Sequence, residues 1–249
     1  MLVYNLHARL ATKIVYTGSN QEVILLEQGN AENFVYEKLK SAIFKRTLRP
    51  ETHLVESRIA DQLGVSRTPV RAAIKRLAHD GYVTYKRNRG ASIIKPSSQE
   101  IYDTFEVRME LEKAAVRKIV RNNNKQALQQ LNLLLTEETD TFNKRDIGIY
   151  YNLNYAIHSG IAAMSGNPVM EEYLNRIIYR SQIYLILYEN FYQMEENPSY
   201  PEHQHIIDAL SLGSQTEAEN AVEEHIASTL KGLRLDEHDN DPDRNRLIL

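Results

Sequence analysis

Four residues in the second half of the chain, Asn154, His158, His203 and His225, carry side chains able to coordinate a divalent transition metal. Asn154 and His158 are four apart, so on a helix they share one face. His203 and His225 fall in later segments, and imidazoles projecting inward from several helices of a bundle make such a site. Eight histidines in 249 residues also scatter widely, and spacing alone favours ordinary core or surface histidines. Arg108 and Arg180 offer planar forks suited to a carboxylate. Each could instead form a surface salt bridge, Arg108 with Glu110 or Glu112. Tyr184, Tyr188 and Tyr192 recur every four residues, a stripe that reads as packing.

A different chemistry lies in the first half. Arg67 and Arg71 are also four apart, and the arginine fork matches the O6/N7 edge of guanine. They sit with Ser66 and Thr68 at the start of a helical pattern that continues through Val70, Ile74 and Leu77 and stops at Gly81. Ser66 reads as the N-cap, its hydroxyl serving the first-turn amides. Pro69 falls in the first turn, where a missing N–H costs little. Before it, Gly64 supplies a tight turn after a short helix over Ser57–Leu63. Tyr82–Tyr85 and Ala91–Ile94 read as strands flanking the basic tip Lys86-Arg87-Asn88-Arg89-Gly90. Residues 56–90 therefore read as a winged helix-turn-helix, whose second helix enters the major groove.

The remaining elements follow from periodicity. A helix begins at Glu32, with Phe34, Val35, Leu39, Ala42 and Ile43 on one face, and ends before Arg49-Pro50. Beyond Pro96, helical periodicity recurs in six segments, near 98–121, 124–143, 146–165, 168–193, 200–212 and 215–233. The fold class is thus mainly α: an N-terminal winged helix-turn-helix followed by an antiparallel bundle of about six helices. The domains are an unassigned N-terminal arm (1–30), the DNA-binding domain (31–96), a helical effector-binding and dimerisation domain (97–235) and a polar tail (236–249).

Charge supports this division. The net charge is −3, but residues 31–96 hold 14 basic against 6 acidic residues, and residues 97–249 hold 14 against 25. A basic nucleic-acid-binding part is joined to an acidic part that phosphate would repel. The absence of cysteine excludes disulfides, thiolate nucleophiles and sulfur-ligated metals. No apolar run approaches the roughly 18 residues that span a bilayer. The first 30 residues lack a signal-peptide pattern. A cytoplasmic protein without membrane attachment is expected.

Leu63-Gly64-Val65-Ser66-Arg67-Thr68-Pro69-Val70-Arg71, with Arg76-Leu77, Asp80-Gly81 and Asn88-Arg89-Gly90, resembles the GntR family of bacterial transcription regulators over about residues 32–95. That resemblance implies base contacts from Arg67 and Arg71 and a minor-groove position for Gly90. Many members carry an arginine at the start of the second helix. This chain has Ser57 there, followed by Arg58, which becomes the candidate for that contact.

Asn154-Tyr155-Ala156-Ile157-His158, Ser165-Gly166-Asn167-Pro168, Glu202-His203 and Glu224-His225 resemble the FCD effector domain, its six helices suggesting the VanR-like branch. In that domain an aspartate and three histidines hold a divalent metal, often zinc or nickel, which helps to bind a small carboxylate. Arg108 resembles the family's arginine in the first bundle helix. The aspartate position is Asn154 here, whose neutral amide removes one negative charge and should weaken the site.

The expected function is a ligand-responsive regulator, not an enzyme, that binds a palindromic double-stranded operator as a homodimer and is switched by an organic acid. The competing expectation is a metal-dependent hydrolase within the bundle. Glu202 and Glu224 each precede a histidine, but adjacent helical residues point about 100° apart, so neither is clearly aimed inward.

Overall fold

A computed structural model describes residues 28–87, 90–122 and 125–235. Arg89, most of the N-terminal arm and the polar tail lie outside the described residues. Helix α1 (Gln28–Phe44) begins four residues before the sequence pattern suggested and buries Val35, Leu39, Ala42 and Ile43. Helix α2 (Glu56–Leu63) ends at Gly64, whose φ of 65° is the left-handed geometry that glycine adopts without strain. Helix α3 (Arg67–His79) follows, with Val70, Ala73, Ile74 and Leu77 packed inward.

Strands β1 (Val83–Lys86) and β2 (Gly90–Ile93) form the antiparallel wing, with Val83 opposite Ile93 and Lys86 opposite Gly90. The sequence reading missed a third extended piece. Residues 51–54 run along β2, with Glu51 N–H to Ile93 O at 3.1 Å, Ile93 N–H to Thr52 O at 3.0 Å and Leu54 N–H to Ala91 O at 2.9 Å. Five residues between a proline and a helix are too few to show alternation.

The rest is helical: α4 (Ser98–Asn122), α5 (Lys125–Asn143), α6 (Ile147–Met164), α7 (Pro168–Tyr188), α8 (Ser199–Leu212) and α9 (Gln215–Gly232). Side-chain oxygens cap four of them: Ser97 on Glu100 N–H, Asp146 on Ile149 N–H, Asn167 on Met170 N–H and Ser214 on Glu217 N–H. Helices α5 and α6 approach closely at Gly160, where a Cβ would meet Leu131 Cδ2 at 2.7 Å.

Helix α7 stops at Tyr188 instead of continuing to residue 193. Glu189 is extended, its carboxylate accepting the Tyr151 hydroxyl at 2.7 Å, and a 3-10 turn over Phe191–Gln193 drives Phe191 against Phe142 and Tyr150. Tyr184 and Tyr188 are buried as packing residues, whereas Tyr192 lies beyond the helix and is exposed. The inward turn of Glu189 and Phe191 breaks the apparent stripe.

One apolar cluster runs through both parts of the chain. Phe44 on α1 touches both Tyr82 and Tyr151. Arg46 Nη1 donates to the Glu189 carbonyl at 3.1 Å. At the far end of α3, the Asp80 carbonyl accepts the Tyr179 hydroxyl at 3.1 Å and the Asp80 carboxylate accepts the Tyr36 hydroxyl at 2.7 Å. Among the described residues no helix is long and apolar enough to cross a membrane.

Candidate metal centre and nucleic-acid interface

The leading end of α3 is open to solvent, with Ser66, Arg67, Thr68 and Arg71 all exposed and the apolar face of the helix turned into the core. Ser66 occupies the N-cap position in extended geometry, but its hydroxyl makes no cap bond, contrary to the sequence reading. The leading amides of α3 therefore keep their donor capacity for an anion such as phosphate. Arg58 on α2 and Lys86, Arg87 and Gly90 on the wing are exposed as well, and Gly90 has φ 74°. Arg71 is not idle: its Nε and Nη2 bond both oxygens of Glu56 at 2.8 to 3.2 Å. Glu56 is the first residue of α2 and was not singled out from the sequence.

In the bundle, α6, α8 and α9 bring three imidazoles together. His158 Nε2 lies 3.3 Å from His203 Nε2 and 3.2 Å from His225 Nε2, and all three rings are buried. Each ring meets a carboxylate at its other nitrogen. Glu112 Oε2 is 2.9 Å from His158 Nδ1, Glu202 Oε2 is 2.8 Å from His225 Nδ1, and Glu138 Oε2 is 3.4 Å from His203 Nδ1. An ionised carboxylate only accepts, so each Nδ1 carries the proton and each Nε2 presents a lone pair. Lone pairs facing one another at this distance repel unless a cation lies between them. A tetrahedral ion with bonds of about 2.0–2.1 Å places its nitrogens about 3.3 Å apart, and the three histidines can hold such an ion.

Electrostatics keep these ligands ready. Burial pushes the His158 imidazole down to about 4 despite the neighbouring Glu112. Burial, with His203 and His158 alongside, holds His225 well below the ordinary imidazole range. Burial also opposes ionisation of Glu112, but His158 and Arg108 outweigh it and hold that carboxyl at about 2.

Asn154 is buried beside the cluster, its Nδ2 donating to Glu138 Oε1 at 3.3 Å. Arg108 is fully buried: Nε pairs with Glu112 at 2.7 Å and Nη1 donates to Ser181 at 3.1 Å. Its Nη2 has no hydrogen-bond partner among the described residues. The salt bridge to Glu112, expected at the surface, is buried, and it coexists with an unpartnered donor in one side chain. Arg108, Asn154 and His225 line a cavity of about 10 Å³, room for a single water, with Tyr150, Tyr151, Glu189 and Ser199. Arg180 does not join them. It lies toward the surface of α7, paired with Glu100 at 2.6 Å and the Tyr184 hydroxyl at 2.7 Å. Glu202 lies behind His225 and Glu224 is exposed near His205, so neither faces the Nε2 cluster as a hydrolytic base would.

The sequence reading passed over Glu138 and Glu189, and named Glu112 and Glu202 only in other roles, as a surface partner of Arg108 and as a candidate base. A signal existed for Glu112 and Glu138. Ile101, Phe105, Arg108, Glu112, Ala115 and Ile119 continue one helical face, as do Leu128, Leu131, Leu135, Glu138 and Phe142. A charged residue in such a register is placed in the core.

Comparison with known proteins agrees with both halves. Residues 31–93 match the bacterial regulatory proteins of the gntR family, and residues 103–228 match the FCD domain. An uncharacterised helix-turn-helix transcriptional regulator, YdhC of Bacillus subtilis, is 28% identical over 152 residues, 59% of this chain and 68% of that protein. The Nta operon transcriptional regulator of Aminobacter aminovorans is 29% identical over 179 residues, 72% of this chain and 82% of that protein. The crystal structure of a GntR transcriptional regulator from a Rhodococcus species shares the fold. Its TM-score is 0.62 at 23% identity, over 82% of this chain and 99% of that one. The chain thus belongs to the GntR family of DNA-binding transcription regulators, with an FCD domain that contains its histidine cluster.

Proposed function

We propose that this protein is a ligand-responsive transcription regulator that binds a palindromic operator as a homodimer and is switched by a small carboxylate in a metal-containing bundle. The approach of His203 Nε2 and His225 Nε2 to within 3.2–3.3 Å of His158 Nε2, each ring fixed from behind by a carboxylate, carries the reading. His158, His203 and His225 would hold the ion, with Asn154 beside them. A bound zinc or nickel ion would supply positive charge that attracts a carboxylate; the donor set suits such ions. The unpartnered Nη2 of Arg108 is placed to bind that carboxylate.

The cavity is too small for an organic acid as it stands, so binding must widen it. Glu189 lines the cavity with its side chain, and its carbonyl holds Arg46 beyond the end of α1. Widening therefore displaces the contact between bundle and DNA-binding domain, a rigid-body switch of the kind that re-aims paired reading heads. Two copies would read symmetric half-sites.

The test uses untagged full-length protein. Metal analysis is expected to find about one equivalent of divalent ion per chain. Gel-shift titrations at fixed salt on fragments flanking its own gene are expected to show preference over random DNA, relieved or enhanced by one member of a carboxylate panel. Less than half an equivalent of metal, or no preferred fragment, overturns the reading.

A further inference from the structure

Glu138 is completely buried at the middle of the α5 core face. Its hydrogen-bond partners are all neutral or histidine groups: Asn154 Nδ2 on Oε1 at 3.3 Å, Asn197 Nδ2 on Oε2 at 3.4 Å and His203 Nδ1 on Oε2 at 3.4 Å. Glu112 has the Arg108 guanidinium as a fixed cation, and Glu202 reaches solvent. Among the described residues Glu138 has only the His203 ring as an ion-pair partner. A dry carboxylate without a cation is strongly disfavoured, and buried charges are paired or serve metals.

We propose that Glu138 carries the negative charge of the histidine site that Asn154 lacks, acting on a bound divalent cation through Asn154 and His203. The inference rests on the metal-site reading above and deepens it. A carboxylate cannot donate, so the Asn154 amide must turn its N–H₂ toward Glu138. That leaves the amide oxygen as the atom available to a cation, on a residue that already lines the cavity shared by Arg108 and His225. On the other side, Glu138 accepts the Nδ1–H of His203 and so keeps the Nε2 lone pair within the cluster. An aspartate at position 154 would put a second carboxylate about 3.3 Å from the first. Acid at 138 and amide at 154 are therefore one arrangement, with the charge moved one residue outward from the ion. Glu138 is a positioning residue.

The test measures zinc affinity of the full-length chain, stripped of metal, by competition with a chromophoric chelator at pH 7.5. Glu138→Gln is expected to weaken zinc by about ten- to a hundredfold, the usual effect of losing an outer carboxylate. Asn154→Asp alone is expected to bind no more tightly than wild type. The double variant is expected to recover about tenfold over Glu138→Gln, because the charge has then been returned to 154. Glu138→Gln close to wild type overturns the proposal. So does a tenfold gain from Asn154→Asp alone, an arm that decides the question even if Glu138→Gln does not fold. If wild type and His158→Ala bind zinc equally poorly, the metal-site reading itself has failed.

Discussion

The guanidinium of Arg71 closes on both carboxylate oxygens of Glu56, across the turn that joins α2 to α3. The pair is exposed and contributes little to stability, but it sits on the face proposed to meet DNA. Glu56 orients the fork while repelling phosphate. Glu56→Gln is expected to raise affinity for random DNA, roughly threefold at moderate salt. The ratio of operator to random binding should fall as the fork loses its support. Parallel titrations on both DNAs read the two effects, and an unchanged ratio would show that Glu56 does not guide Arg71.

Among the described residues Arg67 makes no such hydrogen bond, and its exposed fork is free to turn to a base edge. Arg67→Ala is expected to cost about 1–3 kcal/mol of discrimination between operator and random DNA. Equal losses on both would reassign it to a phosphate.

The histidine cluster should couple metal to thermal stability. At a free zinc concentration about a hundredfold above its dissociation constant, the ion adds about 2.7 kcal/mol. For a chain of this size that raises Tm by roughly 5–10 °C. His158→Ala should abolish the increment. A scan that still moves with zinc would place the ion elsewhere.

Glu189 gives a pH signature of its own. Burial raises its carboxyl to about 7, with Glu138 adding to the effect against the Tyr151 hydrogen bond. The folded chain thus retains a proton that the unfolded chain releases between pH 4.5 and 7. The group's contribution is complete below pH 4.5 and lost as the pH climbs through 7. Glu189→Gln, with no proton to lose, should match wild type near pH 4.5 and exceed it at pH 8 by up to about 3 kcal/mol. Denaturant unfolding at the two pH values checks this, and a constant difference would refute it.

The Tyr179 hydroxyl on the Asp80 carbonyl ties α7 to the end of α3. Tyr179→Phe should leave zinc affinity unchanged and reduce the effector-induced change in DNA affinity. Full retention of that change would route the signal through Arg46 alone.

How much of this was legible in the sequence differs from residue to residue. Gly64, Pro69 and the 3-4 spacing of Val70, Ile74 and Leu77 act locally, so the reading helix followed directly. The six bundle helices were equally plain, because Asn167-Pro168 and Gly213 punctuate the chain. The histidines could be named, but only tertiary pairing of α6, α8 and α9 brings them within bonding distance. Glu138 was passed over and Glu112 read only as a surface partner of Arg108, because acids are ordinarily solvated, although their register marked them as interior. The Ser66 hydroxyl and the end of α7 depend on what neighbouring segments offer, which no local pattern encodes.

Phe44 stands between Tyr82 and Tyr151, so the two halves of the chain share one packed core. Calorimetry should register one cooperative transition where two modules joined by a linker would give two. A fragment cut after the wing would expose the bundle-facing side of Phe44 to water and become prone to aggregate. Helical bundle and winged domain should thus share a common melting point, and anything that firms up one end should be felt as slower unfolding at the other.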